Sequence, residues 1–262
     1  MNSIKTAYTD ERQDKYFAVE DSGWWYKYRI RIFADLANAY FDKQKEVVDI
    51  GGSNGFNAKY IQEEGFDVLL LEPTKKACEN AIARGVKRVQ NSSFDGYDRS
   101  LYNAMLFDVL EHIENDEAFL NDLSLKMEKD GVLLLSVPAF SSLWSSEDDI
   151  DGHFRRYTIA TLRKVVQKTE FEIEYCSYFY SFLFLPIFVF RHLKEKLPFV
   201  HNAYERSADE DNAVLQKEFV KTPKIVKYTL DVLASWERKR IQKRKKIFFG
   251  SSIVCVLRKK KN

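Results

Sequence analysis

Proline and glycine are scarce, 5 and 10 residues in a chain of 262, which excludes fibrous and low-complexity architectures. Cysteine is scarcer still. Cys78, Cys176 and Cys255 lie far apart and are odd in number, so neither a disulfide framework nor a metal-knuckle spacing is present, and all three are expected as small buried apolar side chains. No metal site is expected. Charge of either sign is not in excess: 41 Lys+Arg face 39 Asp+Glu, a formal net charge of +2, which speaks against a whole-surface nucleic-acid binder. The opening stretch MNSIKTAYTDERQDKY lacks the apolar segment of a secretory signal. The longest apolar run, Tyr178 to Phe190, contains Pro186 and falls short of the roughly 18 residues that span a membrane. These absences predict a soluble protein of a reducing, cytoplasmic setting, with peripheral contact at the inner face of a membrane left open.

What the chain does have is apolar and aromatic mass: 45% hydrophobic residues and 15% aromatic ones, including 20 Phe and 14 Tyr. That composition suits one large domain, or a domain with an embellishment, and demands a large core, an aromatic pocket or a greasy surface. From Glu46 onward, short β-rich runs alternate with helical stretches. EVVDI (46–50), FDVLLLE (66–72), VKRVQ (86–90), YNAMLFDVL (102–110), GVLLLSVP (131–138) and FEIEYCSYF (171–179) read as strands. Between them, 54–64, 75–84, 116–128 and 159–168 read as helices, the last beginning at Thr158. The alternation predicts an α/β fold, a doubly wound, Rossmann-like sheet with helices on both faces.

Two segments break the rhythm. Residues 1–45 hold a helix with Trp24, Trp25, Tyr26 and Tyr28 at its start, placed before the first strand as a lid. Residues 179–246 hold the aromatic run, a polar stretch at 201–212 and a basic helix ending ERKRIQKRKK. Residues 247–262 then carry IFFGSSIVCVLRKKK, a final strand expected to pair antiparallel at the sheet edge, and a basic tail. The predicted division is therefore a lid at 1–45, a core at 46–178, an insertion at 179–246 and a closing strand at 247–262, with seven strands in all.

VVDIGGSNGF (47–56) is the most informative stretch. Asp49 nears the end of a buried strand, and Gly51, Gly52 and Gly55 let the backbone turn tightly and approach a ligand before a helix starts. A dinucleotide fingerprint needs G-x-G-x-x-G, and here Ser53 and Phe56 stand in glycine positions. The spacing instead resembles the D/E-x-G-x-G-x-G loop of class I S-adenosylmethionine (SAM)-dependent methyltransferases, with Ser53 replacing the middle glycine. Glu72, followed by Pro73, lies about 20 residues further on, where a carboxylate can accept both ribose hydroxyls of an adenosine in SAM or NAD alike.

Further along, D-V-L-E-H (108–112), V-P-A (137–139), L-W-S-x-x-D (143–148) and G-H-x-R-R-Y (152–157) resemble a bacterial subgroup of these methyltransferases. The resemblance runs from about Trp24 to Tyr180. It implies S-adenosyl-L-methionine as cofactor, with the glycine loop at its methionine part, Glu72 at the ribose, and Ser92, Ser93 and Phe94 flanking the adenine. It also implies Asp108 and Val109 beside the cofactor's amino-acid end. WWYKYR resembles the subgroup's W-x-x-x-R element, so Trp25 is expected to cover the cofactor and Arg29 to pair with its carboxylate, a task that suits a planar, bidentate guanidinium.

A methyl acceptor that is a hydroxyl needs a base. His112, Asp148 and His153 are the candidates, with Glu111 in the same pocket. Arg155, Arg156 and Tyr157 have two readings: an acceptor grip for a phosphate or carboxylate, or a loop latch pairing with the acids at 147–151. The predicted activity is methyl transfer to a small-molecule or lipid-linked acceptor, at oxygen. Competing readings are an NAD(P)-dependent oxidoreductase and a non-catalytic membrane-surface module. The cationic residues Arg191, His192, Lys194 and Lys196, with 238–246, have two readings: contact with an anionic membrane or a lipid-linked acceptor, or the solvated basic face of a core-packing helix pair. Nucleic acid is not an expected partner.

Overall fold

A seven-stranded sheet ordered β3-β2-β1-β4-β5-β7-β6 organises the molecule. The structure, a computed structural model, describes residues 9–196 and 224–260; for 190–196 and 224 only the backbone is described. The polar stretch at 201–212 and the side chains of Arg191, His192, Lys194 and Lys196 thus lie outside the described residues. In chain order the elements are α1 (Asp10–Glu20), α2 (Trp24–Tyr40), β1 (Val47–Ile50), α3 (Phe56–Glu63), β2 (Val68–Glu72), α4 (Lys75–Arg84), β3 (Arg88–Asn91) and β4 (Leu101–Phe107). There follow α5 (Asp116–Lys126), β5 (Met127–Pro138), α6 (Ser146–Asp151), α7 (Ile159–Val166), β6 (Phe171–Phe179), α8 (Ser181–Lys196), α9 (Lys224–Gln242) and β7 (Ser252–Lys259).

Strands β1 to β5 pair in parallel, and β1 and β2 are buried along their whole length, as unbroken apolar runs in a sheet covered on both faces should be. β7 is antiparallel to both neighbours. The α/β fold with its seven-stranded, mostly parallel sheet and antiparallel last strand is therefore as expected, but the place of that strand is not. β7 inserts between β5 and β6, leaving β6 at the edge. Ile253 to Leu257 are fully buried, and only an interior position covers a run that apolar.

Smaller expectations shift as well. The N-terminal segment forms two helices, α1 and α2, and the break falls at Gly23. β5 starts at Met127, earlier than the expected strand start at 131, with its irregular pairing to β4 absorbed between Leu101 and Asn103. Pro186 lies inside α8, where the proline forfeits one amide hydrogen bond without ending the helix. Thr158 does cap α7, its hydroxyl accepting from the Thr161 amide at 3.1 Å. Cys78 is buried and free, but Cys176 and Cys255 form a disulfide. They are 79 residues apart yet directly opposite in the β6–β7 register, so the expectation of three unbridged cysteines is corrected.

Helix α2 carries the lid onto the core. Phe33 stacks on Phe107 at 3.9 Å between centroids, and Ile30, Ile32 and Leu36 are buried. Helix α9 is fastened to α2 by three polar ties. Trp24 donates to Asp231 at 2.7 Å, Tyr28 to Glu237 at 2.5 Å, and Arg238 grips Asp35 bidentately. Glu237, fully buried, also accepts from the Tyr180 and Ser181 amides at 2.6 and 2.8 Å. Charge-assisted bonds of this kind are worth about 1.5–3 kcal/mol each, so α9 is anchored on α2 and on the start of α8.

Candidate active site

The carboxyl ends of β1, β2, β4 and β5 point to one edge of the sheet, the place where open α/β folds bind ligands. At β1 the chain turns through Gly51, with φ of +68°, and Ser53, with φ of +49°. Ser53 thus adopts the left-handed conformation of the glycine it replaces. Gly52 is required for space: a Cβ there would lie 2.2 Å from Asp49 Oδ2 and 2.7 Å from Leu70. Asp49 is fully buried, and neither carboxylate oxygen meets a donor with hydrogen-bond geometry. Burial, then the charge of Glu72, pushes its pKa up to about 7, with the Ala58 amide only partly opposing.

Glu72 accepts from the Ser53 amide at 3.0 Å and the Thr74 amide at 2.8 Å. Each oxygen keeps a second lone pair, so the carboxylate can still receive the hydroxyls of a ribose. Burial raises its pKa, and the Thr74 and Ser53 amides oppose the shift. Pro73 is exposed beside it. A glycine cradle with no room for a side chain and a strand-end carboxylate with spare acceptor capacity fit SAM.

The other expected cofactor residues divide. Val109 faces Gly51, 3.1 Å from where a Cβ would stand. Ser93 borders β3's end half-buried, but Phe94 is buried against Phe119, ring centroids 5.5 Å apart, so its ring belongs to the core. Asp108, with φ of +54°, pairs with Arg29 and accepts from Ser136 Oγ at 2.9 Å. Arg29 is therefore committed to Asp108 here. Trp25, half-buried, accepts at its carbonyl from Tyr180 Oη at 2.7 Å.

On the β5 side, the loop 140–157 turns its polar groups on itself. Asp148 accepts from His153 Nδ1 at 2.8 Å, Arg156 Nε at 2.7 Å and the Ser145 amide at 2.8 Å. Burial would raise its pKa, but the His153 and Arg156 bonds outweigh this and hold it well below the carboxylate range. It is an anchor held ionised, which removes it as a candidate base. Arg155 pairs with Asp116 at 2.9 Å and donates to the Ile113 carbonyl at 3.0 Å. Tyr157, 2% exposed, donates to Asp116 at 2.8 Å. Arg155, Arg156 and Tyr157 thus form the latch, although Arg155 reaches Asp116 and not the acids at 147–151, and they do not line an acceptor pocket as donors.

His112 and His153 do come together, their rings edge to face at 4.6 Å. Burial first, and then His153, lowers the His112 pKa to about 4, so its imidazole is neutral at pH 7. Glu111 is buried beneath them; burial and then the charge of Asp108 raise its pKa well above the ordinary value.

Sequence reasoning missed the contribution of α1. Gln13, 2% exposed, accepts from Ser53 Oγ at 2.9 Å, and its carbonyl accepts from Asn54 at 3.0 Å. Arg12 pairs with Asp151 in α6. One helix therefore straps the glycine loop to the 140–157 loop, and no apolar periodicity announced it. Ser136, a lone polar residue inside an apolar strand, was the readable signal for the Asp108 contact.

The family model "Methyltransferase domain" matches residues 24–175. A ubiquinone biosynthesis O-methyltransferase of Rickettsia canadensis is 26% identical over 113 residues, covering 40% of this chain. The chain thus spans 48% of that curated relative's length. Among solved structures, the plantazolicin methyltransferase BpumL in complex with SAH superposes with a TM-score of 0.57 at 11% identity, covering 98% of this chain and 94% of that one. Haemonchus contortus phosphoethanolamine N-methyltransferase 2 in complex with S-adenosyl-L-methionine gives 0.59 at 15% identity, covering 100% and 61%. These two share the fold. With the family model matching more than half of the chain, the chain belongs to the methyltransferase-domain family.

Proposed function

We propose that the chain transfers the methyl group of SAM to an oxygen of a small-molecule acceptor held over the 140–157 loop. The observation that carries this reading is the His112–His153 pair, with His153 Nδ1 fixed on Asp148 at 2.8 Å. A buried carboxylate on one ring nitrogen orients the imidazole and leaves Nε2 to accept a proton. A hydroxyl acceptor needs that service; a neutral amine does not. The oxygen assignment is supported by the curated relative, whose name is that of an O-methyltransferase.

SAM supplies a methyl group already activated on a sulfonium, so the protein has mainly to position, dehydrate and take up a proton. Glu72 would hold the ribose hydroxyls, with Ser93 and Pro73 bordering the base. The glycine loop, braced by Asp49, would receive the methionine portion, and Asp108 with Arg29 would meet its charged end. Trp25 and α1 would close the site against water.

The test compares phenolic and alcoholic acceptors with amines, following the demethylated product. His153→Ala should lower kcat roughly 10²–10⁴-fold, the range of a general base, and leave SAM affinity unchanged. Turnover that is confined to amines, or that survives His153→Ala at the wild-type rate, would contradict the oxygen assignment.

A lipid-linked acceptor presented at a membrane is favoured by one further observation. Leu185 on α8, Trp236 on α9 and Phe248 are exposed by 64%, 52% and 80%, beside the cations Lys239, Lys243 and Lys246. Phe184 on α8 packs on Phe140, centroids 5.3 Å apart, so this face adjoins the end of β5. Among the described residues no helix is long and apolar enough to cross a membrane. Flotation with anionic vesicles should be weakened by the pair Leu185→Asp and Phe248→Asp; equal flotation would discard the membrane arm. The oxidoreductase reading has no support from the family model.

A further inference from the structure

Among the described acids at the edge of β4 and β5, Glu111 keeps one carboxylate oxygen, Oε2, buried without a hydrogen-bond partner, while the other acids there are paired. Asp108 is met by Arg29 and Ser136, Asp116 by Tyr157 and Arg155, and Asp148 by His153 and Arg156. Glu111 is 1% exposed, and its Oε2 is buried with no hydrogen-bond partner. A buried carboxylate with an unpartnered oxygen is costly unless it takes up a proton or a cation accompanies it. What stands next to it is a pair of imidazoles: one carboxylate oxygen of Glu111 and one ring nitrogen each of His112 and His153 all lie within 4.8 Å of one another.

Both rings have a polar partner besides the cluster. His153 commits Nδ1 to Asp148, so Nε2 is the nitrogen left over. His112 is hydrogen-bonded to the backbone of Asp151. A carboxylate or carbonyl on the far nitrogen is the usual outer support of a metal-binding histidine, because it fixes the tautomer and turns the lone pair inward. The backbone supports the same convergence: the Phe154 amide donates to the Glu111 carbonyl at 2.8 Å, tying the loop that carries His153 to the turn that carries the other two.

We propose that Glu111, His112 and His153 bind one divalent transition-metal cation beside the methyl-acceptor position. Two imidazoles and one carboxylate suit zinc, iron, cobalt or nickel better than magnesium or calcium, which prefer all-oxygen sites. Metal–ligand bonds of about 2.0–2.2 Å require the donors to close by roughly an ångström, within reach of side-chain rotation. Three protein ligands leave coordination positions open, and an acceptor oxygen is the group they would take. With the cation bound, the His112 and His153 nitrogens are ligands and His153 is not itself the base: the acceptor hydroxyl, acidified on the cation, releases its proton to solvent water as its oxygen bonds the methyl carbon and the sulfonium carbon–sulfur bond breaks. This deepens the proposed oxygen methylation and rests on it only for what the cation does.

Cobalt(II) titration of chelator-stripped full-length protein, read by visible ligand-field absorption and by zinc competition, tests the site. One equivalent of cobalt should bind saturably and be displaced by zinc. Glu111→Gln and His153→Ala should each weaken binding at least tenfold, and Asp148→Asn by about tenfold through the His153 orientation. Glu117→Gln, on the surface of α5, should bind like wild type. Near-ultraviolet circular dichroism and SAM calorimetry on each variant confirm that the fold persists. Absence of a saturable cobalt spectrum, or the same titration in Glu111→Gln and His153→Ala, overturns the proposal. A stripped protein that still binds SAM but no cobalt sinks the metal site alone, whereas one that binds no SAM sinks the methyltransferase reading.

Discussion

Asp49 and Asp148 are both buried beside the same edge of the sheet, and they titrate in opposite directions. Asp49 lies under the glycine loop with only the Ala58 amide turned toward it, and burial drives its pKa up to about 7. Asp148 has Arg156, His153 and Ser145 around it, and their hydrogen bonds outweigh burial and hold it ionised. Equal burial with unequal donors separates two kinds of site. The charged groups of the 145–157 loop are answered by partners within the loop and on α1 and α5, and removing any member leaves a partner stranded. The loop after β1 is shaped around space and an acid that, among the described residues, no cation pairs with, as a ligand cradle is.

The largest expected effect lies on the paired side. Asp148→Ala strands the guanidinium of Arg156, 9% exposed, and should cost about 3–5 kcal/mol of unfolding free energy, the usual penalty for breaking a buried pair. Urea unfolding measures it, with SAM affinity retained in the folded fraction. A loss under about 1 kcal/mol, as for a surface pair, would erase the contrast.

Gly52→Ala should do the reverse. Its methyl would meet Asp49 and Leu70, an overpacking that costs about 1–3 kcal/mol, while SAM binding, followed by calorimetry, should be lost almost entirely. Unchanged affinity would mean that the cradle is not where the cofactor binds.

The smallest effect is a slope. The folded-state pKa of Asp49 is raised from 3.8 to about 7, so between those values the native protein holds a proton that the unfolded chain has released. Stability of the cofactor-free protein should therefore fall as pH rises through that window, by up to about 1 kcal/mol per pH unit. Asp49→Asn should flatten this part of the profile and be the more stable form at pH 8. Parallel profiles for wild type and variant would show that Asp49 is not under strain.

The cradle was readable in the sequence because its parts are adjacent: Asp49, Gly51, Gly52 and Gly55 lie in one turn, and Glu72 ends the next apolar run. The latch was only half readable. The basic and acidic residues of 147–157 could be paired on paper, but Asp116, the partner of Arg155, comes from the start of α5 and meets it only in the fold. β7 was recognisable as a strand from its apolar run, but its place between β5 and β6, and with it the Cys176–Cys255 pairing, depends on contacts across most of the chain. Helix α1 was hidden for a different reason. Its buried Gln13 acts through polar bonds to Ser53 and Asn54, which leave no apolar period to detect.

Calorimetry of SAM and its demethylated product against wild type and Glu72→Ala tests the central claim most directly. Wild type should bind both with one-to-one stoichiometry, and the variant, deprived of two charge-assisted ribose bonds, should bind about 100-fold more weakly. A wild-type protein with no affinity below about millimolar, or a Glu72→Ala variant that binds as wild type does, would contradict the account.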